Sequence, residues 1–144
     1  MSPSFCQGGV LMTVEEIYRE SIAWIFEKPS SQIYDNYILP ITRKVLAEIF
    51  EENNLLRMKR DMLPLLEIPT VSSRKDNLDD LGILPEYQRN VIPKGIDSNF
   101  LMDDDLNKMS KYDVEYNNAR VALLVMVPQD KVEYLRKKAE ENAI

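Results

Sequence analysis

The sequence predicts an all-α fold, a small helical bundle of about five helices with a long irregular loop between helices 2 and 3. Apolar residues recur at three- and four-residue spacing along several stretches, as they do in helices that bury one face. Prolines, glycines and polar runs separate these stretches and predict where the helices end. The chain has 144 residues and is 44% hydrophobic, which suits one domain with one core.

Residues 1–12 lack this pattern, and we expect them to be a disordered or non-native leader to a single helical domain over residues 13–144. The letters QGGV at residues 7–10 can be encoded by a purine-rich run of the kind that forms a ribosome-binding site. Met12 would then be the true first residue. An intact-mass measurement on the natively expressed protein tests this hypothesis, and residues found before Met12 would contradict it.

The first predicted helix opens with a capping box. The Thr13 side chain can accept the amide of Glu16, and the Glu16 side chain can reach back to the amide of Thr13. The apolar positions that follow form one stripe at helical spacing: Val14, Ile17, Tyr18, Ile22, Ile25 and Phe26. Pro29 is expected to end this helix, because the residue before a proline is pushed out of the helical conformation.

The second predicted helix begins near Ser30 or Ser31 and carries the longest apolar stripe. The members of that stripe are Ile33, Tyr34, Tyr37, Ile38, Ile41, Val45, Ile49 and Phe50. Pro40 lies within the pattern, so we expect a kink there, either as curvature around the core or as a hinge. Asn53 and Asn54 are predicted to break the helix at its C-terminal end.

The loop between the second and third predicted helices runs over residues 55–84. A loop of this length inside a small domain is often functional or mobile. Arg57, Lys59 and Arg60 form a basic cluster at its start, which we interpret as a solvated helix end that complements the helix dipole, the alternative being a nucleic-acid contact. Residues 65–68 alternate in polarity and could form one small strand pair.

A short third helix is predicted to open at Pro85, because proline is favoured at the first position of a helix. It is expected to end before Pro93, and the Pro93–Gly95 pair is interpreted as a break in the chain. Residues 95–102 are then expected to form one further turn of helix.

Two more helices are predicted towards the C-terminus. Asp103 or Asp104 is expected to cap a long helix that reaches about Met126. Residues 129–142 are predicted to form a last helix, rich in Lys and Glu, with a narrow apolar seam suited to docking on a neighbour. The seam consists of Val132, Leu135 and Ala139.

Charge and residue types argue against several classes of function. The formal net charge of −6 argues against nucleic acid or an anionic membrane surface as the main partner. The chain has no histidine, so the commonest metal ligand and general base are missing. Its one cysteine, Cys6, can form no intrachain disulfide and has no histidine to activate it. No apolar run reaches the length that spans a bilayer.

The aspartate run 103–105 is a candidate for binding a hard cation such as magnesium or calcium. Adjacent helical residues point in different directions, and the spacing of a calcium-binding EF-hand loop is absent. Helix capping explains the run better. Trp24, Tyr112 and Tyr116 are expected to pack rather than bind a cofactor. We therefore predict no catalytic residue, no cofactor-binding residue, no metal ligand and no enzymatic activity.

Two stretches carry a family-like pattern when taken together. The first is LPITRKVLAEIFE at residues 39–51. The second is IPKGI at residues 92–96, followed by LMDDD at residues 101–105 and by the helix with Tyr112 and Tyr116. Together they resemble a group of small proteins encoded in the head–tail gene cluster of tailed phages and prophages of Gram-positive bacteria.

The resemblance covers roughly residues 14–124. In that group a kinked helix carries a Pro–Ile–x–Asn–x–Leu-type core, and a Leu–Pro–Tyr–Gly–Leu segment, an acidic cap and a tyrosine-containing helix follow. The present sequence departs from the pattern twice, because Arg43 stands where the group has asparagine and Lys94 stands where it has tyrosine. Any contact that those two positions make in the group is therefore in doubt here.

The resemblance implies a structural virion protein, a head–tail connector or adaptor subunit located in the phage neck and assembled in the host cytoplasm. Its implied partners are the portal and other neck or tail proteins, and it would form a ring of identical subunits on assembly. An acidic ring is compatible with this role, because negative walls let DNA pass without retaining it. No specific nucleic-acid binding and no membrane contact are expected.

We expect the interfaces to lie in the middle loop, from Pro64 to Asp80, and on the apolar seam Val132, Leu135 and Ala139 of the last helix. An alternative function is a cytoplasmic, non-enzymatic helical binding module, such as a phage-encoded regulator or inhibitor of a host protein. A third is a metal-dependent enzyme that uses the aspartates. Calorimetry with magnesium, manganese and calcium discriminates the third from the other two.

Overall fold

Five helices make up most of the described chain in the computed structural model, which describes residues 12–25, 32–102 and 105–124 and the single positions 137 and 140. The helices are α1 (Val14–Trp24), α2 (Ile38–Lys59), α3 (Pro85–Asn90), α4 (Ile92–Phe100) and α5 (Leu106–Leu124). Those ranges hold no β-strand, only an isolated bridge between Thr13 and Asn77. The predictions of an all-α fold and of a loop between helices 2 and 3 are confirmed, whereas the strand pair suggested for residues 65–68 is wrong.

Helix α1 begins as predicted. The amide of Glu16 donates to the Thr13 hydroxyl over 3.1 Å, and the amide of Thr13 donates to the Glu16 carboxylate over 2.9 Å. The predicted stripe is buried at every described position: Val14, Ile17, Tyr18, Ile22 and Ile25. Phe26 and Pro29 lie outside the described residues.

The two prolines that were predicted to bend or break helices instead lie in first turns. Helix α2 begins at Ile38, not at Ser30 or Ser31, and Pro40 is its third residue. Pro93 is the second residue of α4. A first-turn amide has no acceptor within its own helix, so a proline there costs no hydrogen bond. The predicted kink and hinge at Pro40 are therefore wrong, and the break between α3 and α4 falls at Val91.

Helix α4 is the centre of the fold. It packs against each of the other four helices, and all of its residues from Ile92 to Ser98 are buried except Lys94. A Cβ added at Gly95 would lie 2.8 Å from the Tyr116 ring, so the glycine is what lets α5 approach this closely. The predicted helical turn over residues 95–102 is thus a nine-residue helix that begins three residues earlier.

The other helix ends also differ from prediction. Asn53 and Asn54 do not end α2, which continues to Lys59. The N-terminus of α5 is capped by Asp105, whose carboxylate accepts the amide of Lys108 at 3.1 Å. The cap is therefore not Asp103 or Asp104, both of which lie outside the described residues.

The core is contributed by all five helices together with the long loop. Tyr34 stacks on Phe100 with ring centroids 4.1 Å apart, and Tyr18 meets the same ring edge-on. The largest fully buried side chains are Tyr18, Tyr87, Ile17, Ile22, Ile38, Leu46, Ile49, Leu56, Leu78, Ile83, Ile92 and Ile96.

Candidate protein-interaction site

Two neighbouring asparagines on α2 hold the two ends of the long loop. The Asn53 side chain donates to the carbonyl of Gly82 and accepts the amide of Leu84, each over 3.0 Å. The Asn54 side chain donates to the carbonyl of Leu65 over 3.1 Å and accepts the amide of that residue over 2.7 Å. Each side-chain amide therefore pairs with the loop as a backbone peptide group would.

The role of these asparagines was missed at the level of sequence, where they were interpreted as a helix end. One signal could have revealed it. Asn53 lies four residues after Ile49, so both side chains fall on the same face of a continuous helix. Ile49 and Asn53 are indeed both fully buried. A buried amide needs hydrogen-bond partners, and the following loop is the nearest source of them.

The C-terminus of α2 turns directly into the first part of the loop. Asp61 adopts a left-handed conformation with φ of 61°, and the amide of Met62 donates to the carbonyl of Arg57 over 2.9 Å, as in a Schellman motif. The Arg57 guanidinium donates to the carbonyls of Leu63 (2.8 Å) and Gly82 (3.1 Å). Arg57 is therefore a support for the loop rather than only a solvated end of the helix.

The segment so anchored exposes four large apolar side chains to solvent. We call Met62, Leu63, Leu66 and Ile68 the apolar loop patch. Leu63 is 82% exposed and Leu66 is 83% exposed. Exposed apolar residues scattered singly are ordinary, but a cluster within seven residues on a hydrogen-bonded loop is typical of a protein-contact surface. Hydrogen bonds hold the main chain of the loop while the apolar side chains point outward. This arrangement favours binding, because the loop backbone has little conformational entropy left to lose when a partner binds.

The second part of the loop packs against the start of α1. The amides of Val14 and Glu15 donate to the carbonyls of Asp76 (3.0 Å) and Arg74 (2.8 Å), which satisfies donors that a helix N-terminus leaves free. Arg74 also donates to the Glu15 carboxylate over 2.6 Å. That bond, and those from Arg19, hold the pKa of Glu15 below its usual value. The expected loop is thus present, and four of its side chains are buried in the core: Val71, Leu78, Ile83 and Leu84.

One of the two departures from the phage-protein pattern has a structural role in this loop. The Arg43 guanidinium donates to the carbonyl of Val71 over 2.8 Å. An asparagine is shorter by several atoms, so an asparagine at this position would need a different partner. Lys94, the other departure, is half-buried on α4.

Helix α5 is attached to the bundle by an apolar inner face that packs on the core and by polar contacts with α2. Of its 19 residues only Tyr116 is fully buried, and the Tyr116 hydroxyl donates to the Glu48 carboxylate over 2.7 Å. The Arg120 guanidinium pairs with Glu52, with Nε 3.0 Å from one carboxylate oxygen. On its outer side α5 carries three apolar residues that are each more than half exposed. These are Leu106, Val114 and Val121, which we call the α5 stripe.

A carboxyl group is enclosed at the centre of the bundle. Asp97 on α4 is fully buried, and neither of its side-chain oxygens has a hydrogen-bond partner in the described part of the chain. Burial, with a smaller contribution from the charge of Glu20 on α1, raises the pKa of Asp97 to about 9. The group is therefore a neutral acid at pH 7. A neutral buried acid is a poor cation ligand, so Asp97 adds no metal chemistry to the site.

Other candidate chemistry is weak. Arg60, Glu86 and Arg89 line an open cleft of about 380 Å³ beside α3. Both nitrogens of the Arg60 fork donate to the Glu86 carboxylate, so these two charges satisfy each other. Among the described residues, no group of three histidine, cysteine, aspartate or glutamate side chains could hold a metal ion.

The residues predicted as interfaces divide into two sets. Pro64 lies between Leu63 and Leu65 at the centre of the apolar loop patch and is half-buried, while Asp80 is exposed in the turn that follows Leu78. The two are therefore parts of one loop but only Pro64 adjoins the patch. Val132, Leu135 and Ala139 lie outside the described residues.

The structure thus presents a helical protein in which a loop anchored to α2 exposes a cluster of large apolar side chains. Searches against protein-family models, curated proteins and solved structures found no match to this chain. In the described part of the chain, no helix is both long enough and apolar enough to cross a membrane.

Proposed function

We propose that this protein is a structural subunit of a phage particle, a head–tail connector or adaptor in the neck that assembles through protein–protein contacts. The observation that carries the proposal is the apolar loop patch, which is exposed although the loop that bears it is hydrogen-bonded to α2 through Asn54 and Arg57. Its implied partners are the portal and other neck or tail proteins, and its implied location is the virion.

The energetics of the patch support a contact function. Burying a leucine side chain fully contributes about 1.5–3 kcal/mol. Leu63 and Leu66 have most of that contribution still available, because both are more than four-fifths exposed. A partner that covers both leucines would gain this energy without first ordering the loop backbone.

The charge of the chain also supports a position around a DNA channel. With a net charge of −6, the subunit would repel phosphates rather than retain them, and DNA could pass through a ring of such subunits. The proposed function needs no catalysis, cofactor or metal ion.

Mass spectrometry of density-purified particles from the source strain tests the proposal, with the amount of the protein measured against the portal. We expect the protein at about the copy number of the portal. Clear absence, with the portal well covered, would overturn the virion role and leave a cytoplasmic helical binding module, whose target a pull-down from host lysate would seek.

A variant phage links the particle result to the patch. Replacing Leu63 and Leu66 by serine should remove the protein from purified particles and leave heads without tails, because the contact surface is lost. The matched control is Met102→Ser, which changes an exposed apolar residue outside the patch and should leave particles intact. Equal incorporation of the two variants would show that the apolar loop patch is not the contact.

A further inference from the structure

We infer that α5 is a detachable arm of the bundle, whose release is coupled to the loss of the proton from Asp97. While the carboxyl is protonated, α5 stays packed on α4. When the carboxyl ionises, α5 moves away and water reaches the charge. Two observations carry this coupling: Asp97 is enclosed without a hydrogen-bond partner in the described part of the chain, and α5 is the enclosing helix that is buried least. The device goes beyond the proposed function and does not rest on it.

The carboxyl of Asp97 is enclosed from two sides. On the side of α1, the negative charge of Glu20 adds to the effect of burial on Asp97, while the neighbouring cation Arg19 pairs with Glu15. On the side of α5, burial and then the charge of Asp97 raise the pKa of Tyr112. Both helices therefore lie within the electrostatic range of Asp97, and the charge that faces it from α1 is of the same sign as its own.

The charged residues of α2 and α3 that lie nearest to α4 face other directions. Lys44 of α2 donates to the side chain of Asn99 over 2.7 Å. Asn99 lies two residues after Asp97, so the two side chains are separated by roughly 200° around α4. On α3, Glu86 and Arg89 line the open cleft beside that helix. Neither α2 nor α3 supplies a counterion to Asp97.

The charged residues of α4 and α5 give the same result. Lys94 lies three residues before Asp97 on α4, but it makes no hydrogen bond to either oxygen of the carboxyl. On α5, the carboxylate of Asp113 accepts the hydroxyl of Ser98, the residue after Asp97, over 3.5 Å. A charge on the enclosed Asp97 would thus be desolvated and unpaired, which is unfavourable enough that the packed state holds the neutral acid.

Helix α5 reaches α1 through one tyrosine. The Tyr112 hydroxyl donates to the carbonyl of Trp24, the last residue of α1, over 2.8 Å. Because Tyr112 also lies within the electrostatic range of Asp97, its side chain bridges α5 and α1 on the side of α4 that carries the carboxyl. Movement of α5 would withdraw this bridge and let water reach Asp97.

Of the two enclosing helices, α5 is the one that can leave at the lower cost. Five of the 11 residues of α1 are buried, whereas Tyr116 alone is buried among the 19 residues of α5. The α5 stripe remains exposed even in the packed state. Segments with few buried apolar side chains open locally at a free energy below that of global unfolding. We therefore assign the opening to α5 and not to α1.

The direction of the pH dependence follows from the two protonation states. In the packed state Asp97 keeps its proton up to a pKa of about 9, whereas a solvated aspartate has its ordinary pKa of 3.8. Between these values the open state has lost a proton that the packed state still holds. The equilibrium constant for opening should therefore rise about tenfold for each pH unit.

Hydrogen exchange of the full-length native protein at pH 6, 7 and 8 tests the inference. Each measured rate is divided by the intrinsic exchange rate at that pH, which gives the opening constant for each amide. For amides of residues 112–120, we expect the constant to rise about 100-fold from pH 6 to pH 8. It should depend only weakly on low concentrations of urea, because local opening exposes little surface. Amides of residues 45–53 in α2 should show the steep urea dependence of global unfolding.

Two variants separate the Asp97 proton from other effects of pH. In Asp97→Asn, the opening constants of residues 112–120 should be the same at all three pH values, because asparagine has no proton to lose. Asp80→Asn removes an exposed carboxylate instead and should behave as the wild type does. Should Asp97→Asn fail to fold, judged by circular dichroism, Asp97→Ser replaces it.

Three outcomes would overturn the inference. Wild-type opening constants for residues 112–120 that do not change with pH would show that α5 opens without ionisation of Asp97. Exchange of α5 with the same free energy and urea dependence as α2 would show that α5 is no separate arm. A pH-dependent opening of residues 17–24 in α1, with α5 still protected, would assign the movement to the other helix.

Discussion

Replacing Asp97 by asparagine should make the stability of this protein less sensitive to pH. The wild-type carboxyl keeps its proton up to about pH 9 in the folded state, whereas its ordinary pKa is 3.8. Between those two values the unfolded chain has lost a proton that the folded chain still holds. The free energy of unfolding of the wild type must therefore fall as the pH rises through this window.

The size of the effect follows from the same two pKa values. While the folded state binds one more proton than the unfolded state, stability falls by about 1.4 kcal/mol for each pH unit. From pH 5 to pH 8 the loss is up to about 4 kcal/mol, a large part of the 5–15 kcal/mol that typically stabilises a small domain. Asparagine is neutral in both states and removes this term.

The assay is urea denaturation of the wild type and Asp97→Asn at pH 5, 6, 7 and 8. The difference in unfolding free energy between them should move in favour of the variant by up to about 4 kcal/mol across that range. Asp80→Asn, which removes an exposed carboxylate, controls for the change in net charge. If the wild type and Asp97→Asn gave parallel curves against pH, the argument for a buried neutral acid would be refuted.

The neighbouring acid supplies a further check on the cause of the shift. Glu20 contributes to the raised pKa of Asp97 because its negative charge disfavours a second one nearby. Glu20→Gln should therefore lower the pKa of Asp97, and the fall in stability should level off at a lower pH than in the wild type. An unchanged profile would show that burial alone is responsible.

Three further substitutions test the packing. Asn54→Ala should lower the free energy of unfolding by about 2–4 kcal/mol, because it leaves the amide and the carbonyl of Leu65 without their hydrogen-bond partner. Hydrogen exchange at the Leu65 amide should be faster than in the wild type, and equal protection would contradict the anchoring role. Gly95→Ala should destabilise by about 1–3 kcal/mol, because its Cβ would meet the Tyr116 ring at 2.8 Å, and a thermal melt equal to wild type would exclude the clash. Pro40→Ala should change the unfolding free energy by less than about 1 kcal/mol, whereas stabilisation by about 3 kcal/mol would place the proline in a helix interior.

Some features of the fold are determined by the sequence itself. The capping box at Thr13 and Glu16 and the apolar stripe of α1 predict that helix correctly, because a helix terminus and a helix face each depend on residues within about one turn. The position of the long loop can also be predicted from the sequence, since prolines and polar residues dominate it. The segment later found as α5 is predicted for the same local reasons, with an error of a residue or two at its cap.

The roles of the asparagines and the aspartate depend on distant partners. Asn54 is held by Leu65. Asp97 lies on α4, which packs against three helices that precede it in the chain and one that follows it. From the sequence alone, the two asparagines are interpreted as the end of a helix, and an aspartate such as Asp97 is expected at the surface. Burial and hydrogen bonding across such separations cannot be deduced from local spacing.

The start of α2 shows most directly what only the tertiary structure decided. From spacing alone, residues 33–37 continue the helical stripe and Pro40 lies in its interior. In the fold, Tyr34 stacks on Phe100 and the Tyr18 hydroxyl donates to Asp35 over 2.6 Å, so this segment is held in turns. The helix therefore begins at Ile38. The proline becomes a first-turn residue because contacts from α1 and α4 set where the helix can start.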